Sequence, residues 1–420
     1  MAAPSLPNSH LPGWLRNTGV GIACFTALAT PISTAAASIG KVLMLIFALA
    51  FLLWPHDRHT NRRVELPSVV LLLVLLGWFT ISIGWTVADW PRAVADVAKY
   101  GKLILIPTMM VLLASRREAL WALGCYAVAQ VFVLLSSMML STGLELPWVL
   151  NQHRLSAGSV FSDYITQSIM TATFGALCWV ARDALATDRR GARLALLLLA
   201  LLAVFDTLYL LPGRTGWAVT AALAALIAWW ALPRRFRAAA VLAPVLVAGL
   251  LLATSTTGRE RLTDLVMETN RFVEQGAENS SSGERLNFWR RSVQSIRTAP
   301  WLGTGAGSWQ TRYLQLEQGK PPEFTRTTRN PHNEYLLIGV QLGVFGLLLF
   351  VVWIVATAWD ARRYDTPSAR AVLVMMVSFA VASLFNSALF DSSKGSFYCI
   401  VGGMLFAYGA SGPQRKRIDG

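Results

Sequence analysis

His332 stands in the run Asn330-Pro331-His332-Asn333-Glu334-Tyr335-Leu336-Leu337, where a polar stretch gives way to an apolar one. Asn330 is expected to cap a helix whose first turn holds Pro331 and His332. There the helix dipole disfavours imidazolium, so the ring stays neutral, can accept a proton, and has an anion-friendly neighbourhood. A general base beside an anionic group fits this setting; so does an interfacial histidine that only hydrogen-bonds the loop. The other histidines, His10, His56, His59 and His153, lie in a tail or in loops without such context.

Arginines expected on the same side are the second element. Arg214 lies in the tight turn Leu211-Pro212-Gly213-Arg214-Thr215-Gly216-Trp217 between two apolar runs. It calls for an anionic partner, or else snorkels to lipid headgroups. Arg285 opens a helix in Gly283-Glu284-Arg285-Leu286-Asn287-Phe288-Trp289, and the basic residues continue at Arg290, Arg291 and Arg297, which also reads as a solvated face. Arg154 is the only basic residue between 142 and 165. Asp206, inside an apolar run, and Asp391, just after another, can orient His332, pair with an arginine, or simply mark helix ends at the water boundary. No Asp-x-Asp, His-Glu-x-x-His or carboxylate cluster faces this side, so neither a metal nor a cofactor is expected, and any phosphate must be neutralised by arginine. The glycine-rich run at 303–308 has no preceding strand and no following Lys-Ser/Thr, so it is weak as a phosphate loop.

The elements that position these residues belong to a membrane protein. Of 420 residues 54% are hydrophobic and only 14% charged, against roughly a quarter charged in soluble proteins. Near-spanning apolar runs occur at 18–36, 39–55, 67–85, 96–114, 119–141, 166–181, 194–211, 216–232, 238–254, 334–357, 371–390 and 396–410. The fold class is therefore all-α and polytopic, with about twelve transmembrane helices. Residues 1–254 hold nine of them, 255–333 form one large soluble-like loop, and 334–420 hold the last three and a tail. Within the loop, helices are expected at Arg259–Gln275, from Glu284 to about Thr298, and near Trp309–Gln318. Cys24, Cys125, Cys178 and Cys399 all sit in apolar runs and read as small buried hydrophobes. The first apolar run, led by Arg16, is kept as a membrane helix rather than a cleaved signal.

Charge orients this arrangement. Arginine clusters at 58–63, 116–117, 182–193, 234–237, 362–370 and 415–417 alternate with segments poor in positive charge, which places the clusters and both termini in the cytoplasm and the large loop outside. The exceptions on the outer side are Arg92, Arg154, Arg214 and Lys394, with Lys99 and Lys102 at the start of the fourth span. The net charge of +14 is explained by this rule, and no basic-aromatic interleaving marks a nucleic-acid surface.

The run Leu302-Gly303-Thr304-Gly305-Ala306-Gly307-Ser308-Trp309, followed by Asn330-Pro331-His332-Asn333-Glu334-Tyr335-Leu336 and then Gly339 and Gly343-Val344-Phe345-Gly346, resembles the bacterial O-antigen ligases. Their relatives are the O-antigen polymerases and protein O-oligosaccharyltransferases, and together they make up a superfamily of ligases and polymerases. The resemblance implies a GT-C-type glycosyltransferase of the inner membrane with a periplasmic loop and active site. It implies metal-independent, inverting transfer of an undecaprenyl-diphosphate-linked O-antigen to a sugar hydroxyl of lipid A-core, in lipopolysaccharide biosynthesis. By its motifs His332 is the base; Arg214, Arg285 and Arg154 hold the donor diphosphate. Asp391, Asn333 and Glu334 are supporting residues.

Charge-assisted bonds of roughly 1.5–3 kcal/mol each allow two or three arginines to replace a divalent cation. Partners are then the lipid-linked donor, the lipid A-core acceptor and membrane lipids, with no nucleic acid. One dominant outer loop and a short C-terminal tail favour a ligase over a polymerase or a protein O-oligosaccharyltransferase. A twelve-helix transporter or lipid flippase shares the helix count but should show internal repeats and midplane ionisable residues.

Overall fold

The computed structural model describes residues 12–54, 66–149, 158–185, 189–254, 256–276, 278–319 and 328–413. Helix dominates, and no strand forms among these residues. The first helices are α1 (Gly13–Ala29), α2 (Thr34–Leu53), α3 (Pro67–Ile81), α4 (Trp90–Tyr100), α5 (Leu105–Leu112) and α6 (Arg116–Ser141). Then follow α7 (Tyr164–Leu185), α8 (Arg190–Phe205), which a π-turn extends over Asp206–Leu210, α9 (Arg214–Ala231) and α10 (Arg237–Thr254). The long loop carries α11 (Thr256–Gln275), α12 (Ser281–Thr298) and α13 (Trp309–Leu316); α14 (Glu334–Asp360), α15 (Thr366–Phe385) and α16 (Ser392–Ala410) complete the bundle.

Among the described residues six helical stretches are long and apolar enough to cross a membrane: Thr34–Leu53, Pro67–Trp85, Arg116–Ser141, Arg190–Leu210, Glu334–Arg363 and Thr366–Phe385. The chain is a membrane protein. The leucines, isoleucines and valines left exposed on α2, α3, α8 and α14 face outward as a lipid-contacting helix requires. In contrast α16, rich in glycine, is buried from Lys394 to Gly409 among α5, α6 and α15, where small residues let backbones approach.

Two ends of the bundle are defined by contacts between distant segments. At one end Arg16 pairs with Glu118 at 2.7 Å, Arg116 pairs with Asp365 at 2.8 Å and bonds the Tyr408 hydroxyl at 2.7 Å. At the other, Thr86 donates to the Ala306 carbonyl, Arg214 to Ser282, and Lys102 to the Asp391 carbonyl. The arginine-rich segments and the large loop thus sit at opposite ends.

Two elements depart from the sequence expectation. The stretch 96–114, read as one span, is broken into the amphipathic α4, a 3-10 turn at Gly101–Ile104 and the short α5. An eight-residue helix is only about 12 Å long and cannot cross alone. The charges of Asp96, Lys99 and Lys102 hold α4 and the turn at the loop-bearing end. The second departure is in α14, which is kinked at Gly343 (φ 66°, ψ −164°). There the turn at 300–308 packs against the opened backbone: Thr304 N–H donates to Val340 O (2.8 Å), Gly305 N–H to Gln341 O (2.9 Å) and Val344 N–H to Pro300 O (2.7 Å). Irregular backbone at this depth is tolerated because the turn satisfies it.

Candidate active site

His332 does not lie in a helical turn. Asn333 is the N-cap of α14, its Oδ1 accepting from Leu336 N–H at 3.0 Å, so the helix begins one residue later, at Glu334. This corrects the expected cap at Asn330. The Asn330 side chain instead accepts from His332 N–H at 2.9 Å and closes a tight turn that holds His332 at φ 53°, in the left-handed region. Glycine is the residue at ease there, though histidine is among the side chains that tolerate it. The strained turn points the ring away from the path a helical residue would take. Trp289 Nε1–H donates to Pro331 O at 3.1 Å, latching α12 onto this turn, and the Phe288 ring lies 6.2 Å from the imidazole.

Neither imidazole nitrogen has a hydrogen-bond partner among the described residues. Burial pushes the ring's pKa down to about 4, Arg285 and Lys394 push the same way, and Asp391 opposes them. The ring is therefore neutral at physiological pH and, against the described residues, has both nitrogens open to a ligand.

The supporting residues build the wall around it. Asn333 Nδ2 donates to Leu384 O (2.9 Å), binding the start of α14 to the end of α15. Glu334 is fully buried and accepts from Tyr100 Oη (2.6 Å), Leu389 N–H (2.8 Å) and Phe390 N–H (3.3 Å), which ties the turn before α16 to α4 and α14. Asp391 caps α16 through Ser393 and Lys394 N–H, both 2.9 Å, and pairs with Lys394 Nζ at 3.1 Å. Burial alone would raise its pKa, but Lys394 and Lys102 hold the carboxyl below the usual range. Asp391 lines the same cavity as His332 without bonding it. Asp206, at the end of α8, takes neither of the two site roles open to it: it accepts from Ser137 Oγ at 2.5 Å inside the bundle, and among the described residues it pairs neither with His332 nor with an arginine.

Two cavities meet at Arg285. The larger, about 960 Å³, holds His332, Asp391 and Arg285. The smaller, about 330 Å³, is walled by Trp217, Leu262, Leu265, Trp289 and Phe385, with Arg214 and Arg285 as its cations. Arg214 begins α9; it donates to Ser282 Oγ (2.8 Å) and lies 3.9 Å from Glu268. Arg285 has neither a carboxylate nor a hydrogen-bond partner among the described residues, and burial and the nearby Arg214 both lower its pKa. A half-buried guanidinium facing a second one without a counterion is an anion site in want of an anion. Arg154, the third expected arginine, lies outside the described residues.

Residues 195–351 match the family model described as O-Antigen ligase. The matched segment contains Arg214, Arg285, His332 and the kink at Gly343. Over this segment, a little over a third of its length, the chain is similar to the O-antigen ligase/polymerase superfamily. No curated protein matches the sequence significantly.

The larger cavity has a wall that the motifs did not identify. Lys41, Lys99, Lys102 and Lys394 all line it. Three of them stand out in the sequence only as exceptions to the charge rule, and Lys41 is hidden inside an apolar run. A signal is nonetheless present: only six of the 37 basic residues are lysine. No cluster of three or more histidine, cysteine or acidic residues with metal-ligand geometry occurs among the described residues.

Proposed function

We infer that this membrane protein is an O-antigen ligase, moving a glycan from undecaprenyl diphosphate to a sugar hydroxyl of lipid A-core at the periplasmic face of the bacterial inner membrane. In this reading about twelve helical spans form a GT-C-type membrane portion, and residues 255–333 form the periplasmic unit that covers the site. The observation that carries the reading is the shared cavity of a neutral imidazole and a guanidinium, neither with a hydrogen-bond or ion-pair partner for its side chain among the described residues. Attack on an anomeric carbon needs a base for the incoming hydroxyl and positive charge for the departing diphosphate. His332 takes the acceptor proton as the new glycosidic bond forms. Arg214 and Arg285, with Arg154 as a third candidate, neutralise the diphosphate released as the old bond breaks. Attack from the side opposite the leaving group inverts the anomeric configuration. Asn333, Glu334 and Asp391 act by holding the turn and its electrostatics.

The test is His332→Ala in purified protein supplied with lipid-linked glycan and lipid A-core. Transfer should fall about 10²–10⁴-fold while donor binding stays near the wild-type value. Retained transfer would end the assignment of the base. Omitting lipid A-core separates the chemistries, because a polymerase would still lengthen the lipid-linked glycan and a ligase would make no product.

A further inference from the structure

The four lysines of the larger cavity have no part in the diphosphate site just described. All four lysines among the described residues line this single cavity, whereas the bundle's charge elsewhere is carried by arginine. Lys99 has Asp96 at 3.7 Å, and Lys394 has Asp391 at 3.1 Å and Asp163 at 3.9 Å. Lys41 and Lys102 have no carboxylate within ion-pair distance among the described residues: Lys41 Nζ donates to Ser396 Oγ (3.0 Å) and Lys102 Nζ to Asp391 O (2.6 Å). The two are close enough to repel each other. Lys41 lies about two turns inside α2, on a wall shared with Leu45, Ile104 and Leu105, so it sits at lipid depth, where a lone ammonium is costly. With Arg285 the cavity presents five cations and one lining carboxylate, beside the N-terminus of α16.

Lysine differs from arginine in what it binds well. Its ammonium is a strongly hydrated point charge with three rotatable donors, suited to a phosphate presented at varied angles, whereas arginine's fork fits a fixed bidentate geometry. The cavity that holds the base must also hold the nucleophile, because the base touches the attacking hydroxyl and not the leaving group. The leaving diphosphate then belongs to the Arg214 side of Arg285, and the threefold larger lysine-lined space is left for the acceptor.

We propose that this cavity is the acceptor site and selects a phosphorylated glycolipid headgroup, Lys41 and Lys102 gripping a phosphate on the acceptor while its hydroxyl reaches His332. The assignment rests on the reading of His332 as base and of Arg214 with Arg285 as the diphosphate clamp. The apolar wall of Leu45, Ile104 and Leu105 lets the lipid part approach from the side, within the membrane leaflet.

Binding in nanodiscs tests this without turnover. The probes are phosphorylated lipid A-core, the same preparation after phosphatase treatment, and undecaprenyl diphosphate. Wild-type protein should bind the phosphorylated acceptor at least about tenfold more tightly than the dephosphorylated one, as for loss of one charge-assisted contact. Lys41→Gln with Lys102→Gln should erase that preference and leave undecaprenyl diphosphate binding unchanged, which also reports an intact fold; Lys41→Arg with Lys102→Arg should keep much of it. Equal wild-type affinity for the two acceptor forms overturns the proposal with no variant needed. So does a lysine variant that loses undecaprenyl diphosphate instead, which would make these lysines donor ligands. Failure of the base assignment would show separately, as transfer retained by His332→Ala.

Discussion

A histidine held at φ 53°, half-buried and with both ring nitrogens unpartnered among the described residues, is expensive for a fold to keep, by roughly 1–2 kcal/mol for the backbone alone. Its environment fixes a pH dependence. As the proposed base, His332 works only when neutral, so kcat/KM should stay level from neutral pH down to about pH 5 and fall as pH drops through about 4, the value burial sets. The bound diphosphate is anionic and would favour imidazolium, so the limb in kcat should lie at higher pH than the limb in kcat/KM. Rate profiles on free and saturated enzyme check both; a kcat/KM limb at the ordinary histidine value would contradict the buried geometry. Arg285→Lys keeps the charge but loses the fork, and should weaken donor binding about tenfold or more by direct titration. Asn330→Ala removes the acceptor that closes the turn and should lower kcat about tenfold with little change in donor affinity.

At the level of elements, the glycine-rich run is a packing device. A Cβ on Gly303 would sit 2.5 Å from Gln341 C, one on Gly305 2.3 Å from Thr86 Cα, and one on Gly343 2.3 Å from Trp301 O, and all three have positive φ. The run is therefore no phosphate loop but the point where the loop-bearing turn, the kink in α14 and the segment before α4 close on one another. Gly343→Ala should destabilise the protein by about 3 kcal/mol or more, through combined backbone strain and overlap. Gly77→Ala in α3, where an added methyl meets nothing, should be neutral or slightly stabilising. Thermal unfolding in detergent distinguishes the two. The loop helices were legible because their polar-apolar period and capping residues are local: Arg259–Gln275 and Glu284–Thr298 were expected, and Thr256–Gln275 and Ser281–Thr298 formed. The break between α4 and α5 and the kink in α14 were not, because each depends on partners more than 200 positions away or on a turn some 40 positions upstream.

For the whole molecule, opposite ends carry opposite business. Ion pairs gather the arginine-rich segments at one end, and the cavities, the loop helices and His332 occupy the other. In intact spheroplasts a membrane-impermeant thiol reagent should label Asn279→Cys, exposed just before α12, and spare Arg117→Cys, exposed at the arginine end, until the membrane is opened. Labelling in the reverse order would invert the orientation and move the site to the cytoplasm.

By itself the sequence determined the solvent, the helical class and the alternation of charge, and it singled out His332, Arg214 and Arg285 as candidates, because apolar length, arginine placement and a local motif are all written in one dimension. Only the tertiary structure decided that Asn333 caps α14, that Asp206 turns away from the site, and that Lys41, Lys99, Lys102 and Lys394 line one wall. The reason is distance along the chain. Lys41 and Lys394 are more than 350 residues apart, and no local pattern reports that burial of α16 brings their elements together around one cavity.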